Sequence, residues 1–239
     1  MTHSPSDVET AVSLAGTGLP ASAIAARTGI PRGTVRDWLA GRIPASAGRY
    51  EVEPQALPPA YVYLLGLYLG DGCISAHPRG VYKLRLALDS AYPGIIASAG
   101  DAMRAVMPAN RVGRSVRTGY DEVYCYSKAW PALFPQHGPG KKHERKIELA
   151  SWQRELVELR PQDFLKGLIH SDGCRFMNTG RDWSYPRYSF SQTSNDIRGM
   201  FCDACDLLDV HWTWAPPNTI YVSCKADVAA LDRFIGPKA

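Results

Sequence analysis

Two stretches of this chain are apolar in the manner of buried helices and share one template. They are Leu64-Leu65-Gly66-Leu67-Tyr68-Leu69-Gly70-Asp71-Gly72 and Leu165-Lys166-Gly167-Leu168-Ile169-His170-Ser171-Asp172-Gly173. Gly66 and Gly70, like Gly167 and Ser171, stand four apart on one helix face, where missing side chains let two backbones approach closely. Leu64, Leu67 and Leu168 are left to pack into each unit's own core. Gly72 and Gly173 are expected to release the chain through a left-handed turn, so each helix ends on an aspartate.

Downstream of each helix the pattern changes to a period of two. Cys73 to His77 and Val81 to Asp89 read as strands around Pro78-Arg79-Gly80, with Leu84, Leu86 and Leu88 on one face and Lys83, Arg85, Ala87 and Asp89 on the other. Pro93 to Met107 follows as a helix, Arg111 to Arg117 and Glu122 to Ser127 as a second hairpin, and Lys128 to Phe134 as a short closing helix. Ile147 to Arg160 reads as a connecting helix. The order then recurs: Arg175 to Asn178, Tyr185 to Gln192, a helix from Asn195 to Leu208, His211 to Ala215, Ile220 to Cys224, and Ala226 to Ile235. The expected fold class is α+β, with tandem pseudo-twofold αββαββα repeats over 60–150 and 151–239. Their two twisted four-stranded antiparallel sheets would saddle a duplex.

Residues 1–43 have a different rhythm, that of a small all-α unit. Ala25, Gly29, Ile30, Val35 and Trp38 have the relative spacing of a helix-turn-helix core. This leaves Arg32, Thr34 and Arg36 outward on the third helix, suited to base edges and phosphates. Residues 44–59 hold Pro44, Pro54, Pro58 and Pro59 among Ala, Ser and Gly and read as a linker.

Charge and cysteine content narrow the picture. The net charge of +4 is unevenly placed: residues 60–150 carry 12 basic against 7 acidic side chains, which is compatible with a polyanionic partner. Six scattered cysteines read as reduced thiols, and Cys202 and Cys205 lack the second pair that a zinc site requires. No apolar run is long enough to span a bilayer, and Met1-Thr2-His3-Ser4 lacks the start of a secretory signal, so a cytoplasmic protein is expected. If the two motif helices pair, Asp71 and Asp172 come side by side. Two such carboxylates either raise each other's pKa or bind a divalent cation, and the cation is the favoured reading.

On the doubled motif, from about Pro59 to the C-terminus, the chain resembles the single-chain LAGLIDADG homing endonucleases with two motifs. The resemblance implies a site-specific double-strand DNA endonuclease that uses Mg2+, held by Asp71 and Asp172, one serving each strand with help from backbone carbonyls. It further implies a lysine near the active site in each half, best matched by Lys141 and Lys238, with Lys142 competing for the first. Double-stranded DNA is the implied partner, with Lys83, Arg85, Arg111, Arg114, Arg117, Arg187 and Ser189 as contacts. Asp89, Ser90, Gln192 and Thr193 are candidates for ordering water. Because two repeats already form a pseudo-dimer, a monomer is expected. The alternative is a non-cleaving transcriptional regulator on the same scaffold, against which the presence of both aspartates argues. Protein splicing is not expected of a chain that starts with Met1 and ends in Gly236-Pro237-Lys238-Ala239.

Overall fold

The computed structural model describes residues 5–42, 52–236 and 238. Half of the expected linker, 44–51, lies outside the described residues. The chain divides into a small helical unit and a larger α/β unit.

In the small unit, helices α1 (Pro5–Gly16), α2 (Ala21–Thr28) and α3 (Arg32–Leu39) close over Val8, Ala11, Ile24, Ile30, Val35 and Trp38. Gly29 ends α2 at φ 72°, donating its N–H to the Ala25 carbonyl, so the sharp turn into α3 uses the left-handed conformation that glycine adopts without strain. The Thr28 hydroxyl donates to the Ile24 carbonyl and accepts from the Ile30 N–H, which fixes the same corner from its side chain.

The larger unit repeats one plan twice. Helix α4 (Ala60–Asp71) is followed by β1 (Gly72–His77), β2 (Val81–Asp89), α5 (Pro93–Val106), β3 (Val112–Val116), β4 (Tyr120–Ser127) and α6 (Trp130–Leu133). After α7 (Ser151–Leu159), the second set runs α8 (Pro161–Asp172), β5 (Gly173–Thr179), β6 (Ser184–Ser191), α9 (Asn195–Asp206), β7 (Thr213–Ala215), β8 (Thr219–Val222) and α10 (Lys225–Asp232). The four-stranded sheets have matching orders, β1-β2-β4-β3 and β5-β6-β8-β7. Leu84, Leu86 and Leu88 pair with Cys125, Val123 and Asp121 across β2 and β4 and turn into the core, as strand alternation requires.

The two repeats meet through α4 and α8. A Cβ on Gly66 would lie 2.6 Å from the Phe164 carbonyl oxygen and 2.9 Å from the Gly167 Cα, and one on Gly167 would lie 2.3 Å from the Tyr63 carbonyl oxygen and 2.9 Å from the Gly66 Cα. The contacts are reciprocal, as a local twofold relation demands, and the obstructing atoms are backbone that cannot swing away. Both motif helices are buried nearly all round, with Leu64, Leu65, Leu67, Phe164, Leu165 and Leu168 fully covered.

Three expectations are corrected. Gly72 and Gly173 are extended, at φ −82° and −100°. They are needed for space, since a Cβ at Gly72 would meet the Tyr68 Cα at 2.5 Å and one at Gly173 the Ile169 Cα at 2.7 Å. The connecting helix begins at Ser151. Residues 147–150 are not helical, with Ile147 and Leu149 buried and the Ile147 N–H bound to the Asp196 carboxylate at 2.7 Å. Strand β4 starts at Tyr120, two residues earlier than the apolar pattern suggests, because Tyr120 and Asp121 pair with Asp89 and Leu88 of β2.

Substituting Gly167 by Ala should force the helices apart and lower stability by about 1–3 kcal/mol, the usual effect of overpacking. Gly199→Ala is the control: a Cβ there, in mid-α9, meets nothing within 4 Å, so stability should rise by about 0.5–1 kcal/mol. Urea unfolding of both variants beside the parent measures the difference.

Candidate active site and nucleic-acid interface

Asp71 and Asp172 are the last residues of α4 and α8, so the close pairing of those helices delivers both carboxylates to one place. A Cβ on Gly70 would fall 2.6 Å from the Asp172 Oδ2 and still nearer the Ser171 side chain; the small residue is the space that the second aspartate occupies. Burial and the neighbouring Asp172 push Asp71 up to about 7, against the downward pull of Lys142 and Lys238. Asp172 is also raised by burial, while Lys142, a hydrogen bond from Gln192 and Lys238 hold it down. The Gln192 amide donates to the Asp172 Oδ2 at 2.6 Å. Asp89 lines the cleft beside Asp71, together with Tyr92, His170 and Lys238, and its Oδ1 accepts the Ala91 N–H at 2.9 Å. Ser90 and Thr193 are exposed neighbours.

Each helix end carries a lysine. Lys142 Nζ donates to the carbonyls of Tyr68, Leu69 and Gly70 at 2.5, 2.9 and 2.9 Å, at the negative pole of the α4 dipole; the Tyr68 carbonyl also accepts the Gly72 N–H. Burial pushes this ammonium down to about 8, opposed by Asp172 and Asp71. Lys238 Nζ donates to the Gly173 carbonyl at 2.5 Å and lies 5.5 Å from the Tyr92 ring centre; it too is lowered by burial. Lys141 is instead 70% exposed and paired with Glu144 at 3.3 Å. The lysine brought to the aspartates in the first repeat is therefore Lys142, not Lys141. Aligning Gly138-Pro139-Gly140-Lys141 with Gly236-Pro237-Lys238 hides the true match, since Gly140 and Gly236 both adopt the left-handed conformation, at φ 78° and 74°, and each stands two residues before a lysine, Lys142 and Lys238.

His170 has a role that the sequence did not suggest. Its Nε2 lies 3.2 Å from the Ile235 carbonyl, which can only accept, so Nδ1 accepts from the Tyr63 hydroxyl at 2.9 Å. Burial pushes this imidazole down to about 4. A neutral histidine thus ties α8 both to α4 and to the segment that ends in Lys238. Tyr63 and His170 occupy unrelated positions of the two motif stretches, matching Phe164 and Leu69 in the other repeat, and only the helix pairing makes them neighbours.

Among the described residues no group of three or more His, Cys, Asp or Glu side chains gathers as a metal cluster, and the site offers a two-carboxylate donor set. That set suits a hard divalent cation such as Mg2+, which takes one or two protein carboxylates and completes its shell with water and phosphate oxygens. Both carboxyls are raised chiefly by burial, to which Asp172 adds at Asp71, and the two lysines only partly offset this. The helix-end carbonyls expected to assist are engaged by Lys142 and Lys238. Cys202 and Cys205 are buried free thiols within α9.

The sheet register sorts the expected DNA contacts. Lys83 and Arg85 share the open face of β2 with Tyr126 and Tyr124 opposite on β4. Arg111 and Arg117 flank β3 and are exposed. Arg114 is turned the other way: it pairs with buried Val123 and is bound by Nε to the Asp121 Oδ2 at 2.7 Å, beside α5. It therefore lies on the helix side of the sheet and cannot serve as an open-face contact. On the second sheet, Ser189 lies between Cys174 and Tyr221, and Arg187 donates to the Ser223 hydroxyl at 2.7 Å with its guanidinium 4.8 Å from the Tyr221 ring. In the small unit Arg32 and Arg36 are exposed and Thr34 is half-buried. No helix among the described residues is long and apolar enough to cross a membrane.

No protein-family model and no curated protein matches the sequence. Solved structures do match in fold. I-DmoI in complex with DNA and manganese aligns at a TM-score of 0.52 and 14% identity, covering 74% of this chain and 97% of that one. Mesophilic variants of the homing endonuclease I-DmoI give 0.52 and 14% over 74% and 95%, and the N-terminal LAGLIDADG domain of DUF199/WhiA gives 0.48 and 14% over 80% and 87%. At such identities the likeness is one of fold, and the fold of the larger unit is LAGLIDADG-like: tandem α+β repeats, each with a four-stranded antiparallel sheet.

Proposed function

We propose that the chain is a sequence-specific double-strand DNA endonuclease of the homing type, with Asp71 and Asp172 as its metal ligands. The observation that carries this reading is the pair of carboxylates at the feet of the two motif helices, mostly buried and each with a lysine close by. A group held against its own charge in this way points to function, because burying two like charges costs stability unless something binds them. Asp71 and Asp172 would hold Mg2+, which when bound would supply a Lewis acid for the scissile phosphate and a water of lowered pKa. Gln192 fixes the Asp172 carboxylate. Lys142 and Lys238 keep their protons at Nζ and offset the negative charge that develops on the phosphate and the leaving oxygen. The DNA would be read from the open sheet faces, with Arg32, Thr34 and Arg36 adding contacts outside the nuclease unit. The two repeats supply both halves of the site, so one chain suffices.

Duplexes selected for binding from a randomised pool should be cut by the parent with Mg2+. Asp71→Asn and Asp172→Asn should each cut at least ~1000-fold more slowly, the scale of losing an essential electrostatic group, while binding within a few-fold of the parent. Binding without cleavage by the parent under any divalent cation would instead make the chain a non-cleaving DNA-binding protein. Lys142→Met should slow cleavage by about 100-fold, whereas Lys141→Met should stay within about twofold, since an exposed ion pair contributes little. Equal losses in the two variants would contradict the placement of Lys142.

The raised carboxyl also predicts a pH dependence in EDTA. Asp71 goes from 3.8 unfolded to about 7 folded, so between those values the folded state holds the extra proton. The sign is that of a raised acid: stability is fully present below about pH 4 and falls as pH rises towards 7. Asp71→Asn should remove most of that slope and raise stability at pH 8 by about 1–3 kcal/mol, one pKa unit being about 1.4 kcal/mol. Millimolar Mg2+ should raise the parent's melting temperature and leave that of the variant unchanged. Thermal melts across pH, with and without Mg2+, test both.

A further inference from the structure

Glu122 lies in the middle of the first sheet's open face, paired in register with Ala87 on β2 and Ser115 on β3. A free carboxylate there would repel a polyanion. This one is not free: it is 6% exposed, accepts a hydrogen bond from the Lys83 ammonium and lies 3.6 Å from the Arg85 Nη1. Lys83 is itself enclosed, its side chain 18% exposed and its Nζ 4.3 Å from the Tyr124 ring centre and 5.9 Å from that of Tyr126. Arg85 differs. It is 49% exposed, meets Glu122 through one amino group, and lines an open pocket with Asp71, Cys73, Ala87, Tyr120 and Glu122.

We propose that these three residues form a guanine-reading device in which Arg85 contacts the base, Glu122 is the positioning residue that aims it, and Lys83 is the internal counter-ion of Glu122 rather than a DNA contact. The proposal rests on the DNA-binding reading of this face. Its physical basis is a division of labour by exposure. An ammonium packed between a carboxylate and two rings has its protons engaged inward and would have to abandon both partners to reach a phosphate. A half-exposed guanidinium that meets Glu122 through one amino group and also engages the Cys73 thiol keeps its remaining N–H donors in a planar fork, the geometry that matches O6 and N7 of guanine. The tether also reduces the rotamer freedom that Arg85 would lose on binding.

The test is selection of bound duplexes from a randomised library in EDTA, with sequencing of the bound fraction, for the parent, Arg85→Ala, Glu122→Ala and Lys83→Met; Glu122→Gln, which keeps the shape, stands in if the truncation does not fold. Salt titrations on the selected duplex accompany it. The parent should show a G·C requirement that Arg85→Ala and Glu122→Ala both relax at the same position, by about 5–100-fold, with other positions unchanged. Binding of Glu122→Ala to unselected DNA should not fall, because a negative charge has left the face; a merely structural residue would weaken every position together. Lys83→Met should keep the base preference and the slope of log K against log salt. A slope smaller by about 1 would make Lys83 a phosphate contact and overturn its assignment. Loss of the G·C preference in Glu122→Ala but not in Arg85→Ala would make Glu122 itself the reader and overturn the device, as would its retention in both. A parent that shows no salt-dependent duplex binding would overturn the underlying reading of the face instead.

Discussion

The contact between α4 and α8 at Gly66 and Gly167 is the constraint on which the rest of the larger unit depends. Two helices whose backbones approach within the space of a missing Cβ have almost no freedom to slide or rotate, since backbone atoms cannot repack as side chains do. Their ends are therefore fixed relative to each other, and the ends are where Asp71 and Asp172 stand. A looser interface of large side chains would hold the repeats together equally well but would not place two carboxylates side by side against their mutual repulsion. The strongly apolar surroundings of α4 and α8 supply the burial that offsets this electrostatic cost.

From that fixed centre the charges are arranged by element ends. Lys142 and Lys238 approach from the segments that close each repeat and bind carbonyls at the helix feet, so each repeat contributes a carboxylate and an ammonium at the same seam. The arrangement is not fully symmetric. Asp172 is held by Gln192, whereas Asp71 faces the cleft with Asp89 and Tyr92, and His170 ties only the second motif helix to the C-terminal segment. The first sheet likewise carries its lysine and arginine around Glu122, while the second presents Arg187 beside Tyr221. Two copies of one fold thus offer different surfaces, as an asymmetric DNA target would require.

Local physics made much of this legible in the sequence. The small residues four apart and the terminal Asp-Gly define the paired helices because helix periodicity puts those positions on one face, and the alternation at Leu84, Leu86 and Leu88 defines β2. What the sequence could not show depends on non-local register. Lys141 and Lys142 are adjacent and chemically identical, and only a one-residue offset at Gly140 decides which reaches the aspartates. Arg114 looks like its neighbours Arg111 and Arg117, yet its pairing opposite Val123 turns it to the helix side. Gly72 and Gly173 are glycine for space and not for a left-handed turn, a difference that the sequence does not carry, since close approach and left-handed φ both select glycine.

On the proposed mechanism one acid from each repeat serves one strand of a duplex. The most direct measurement is to map the new ends on both strands of a selected duplex after incubation of the parent with Mg2+. One discrete cut per strand is expected, the two separated by a short stagger about the centre of the bound site. A duplex that is bound at that site but left intact on both strands, or cut on one strand only however long the incubation, would contradict it.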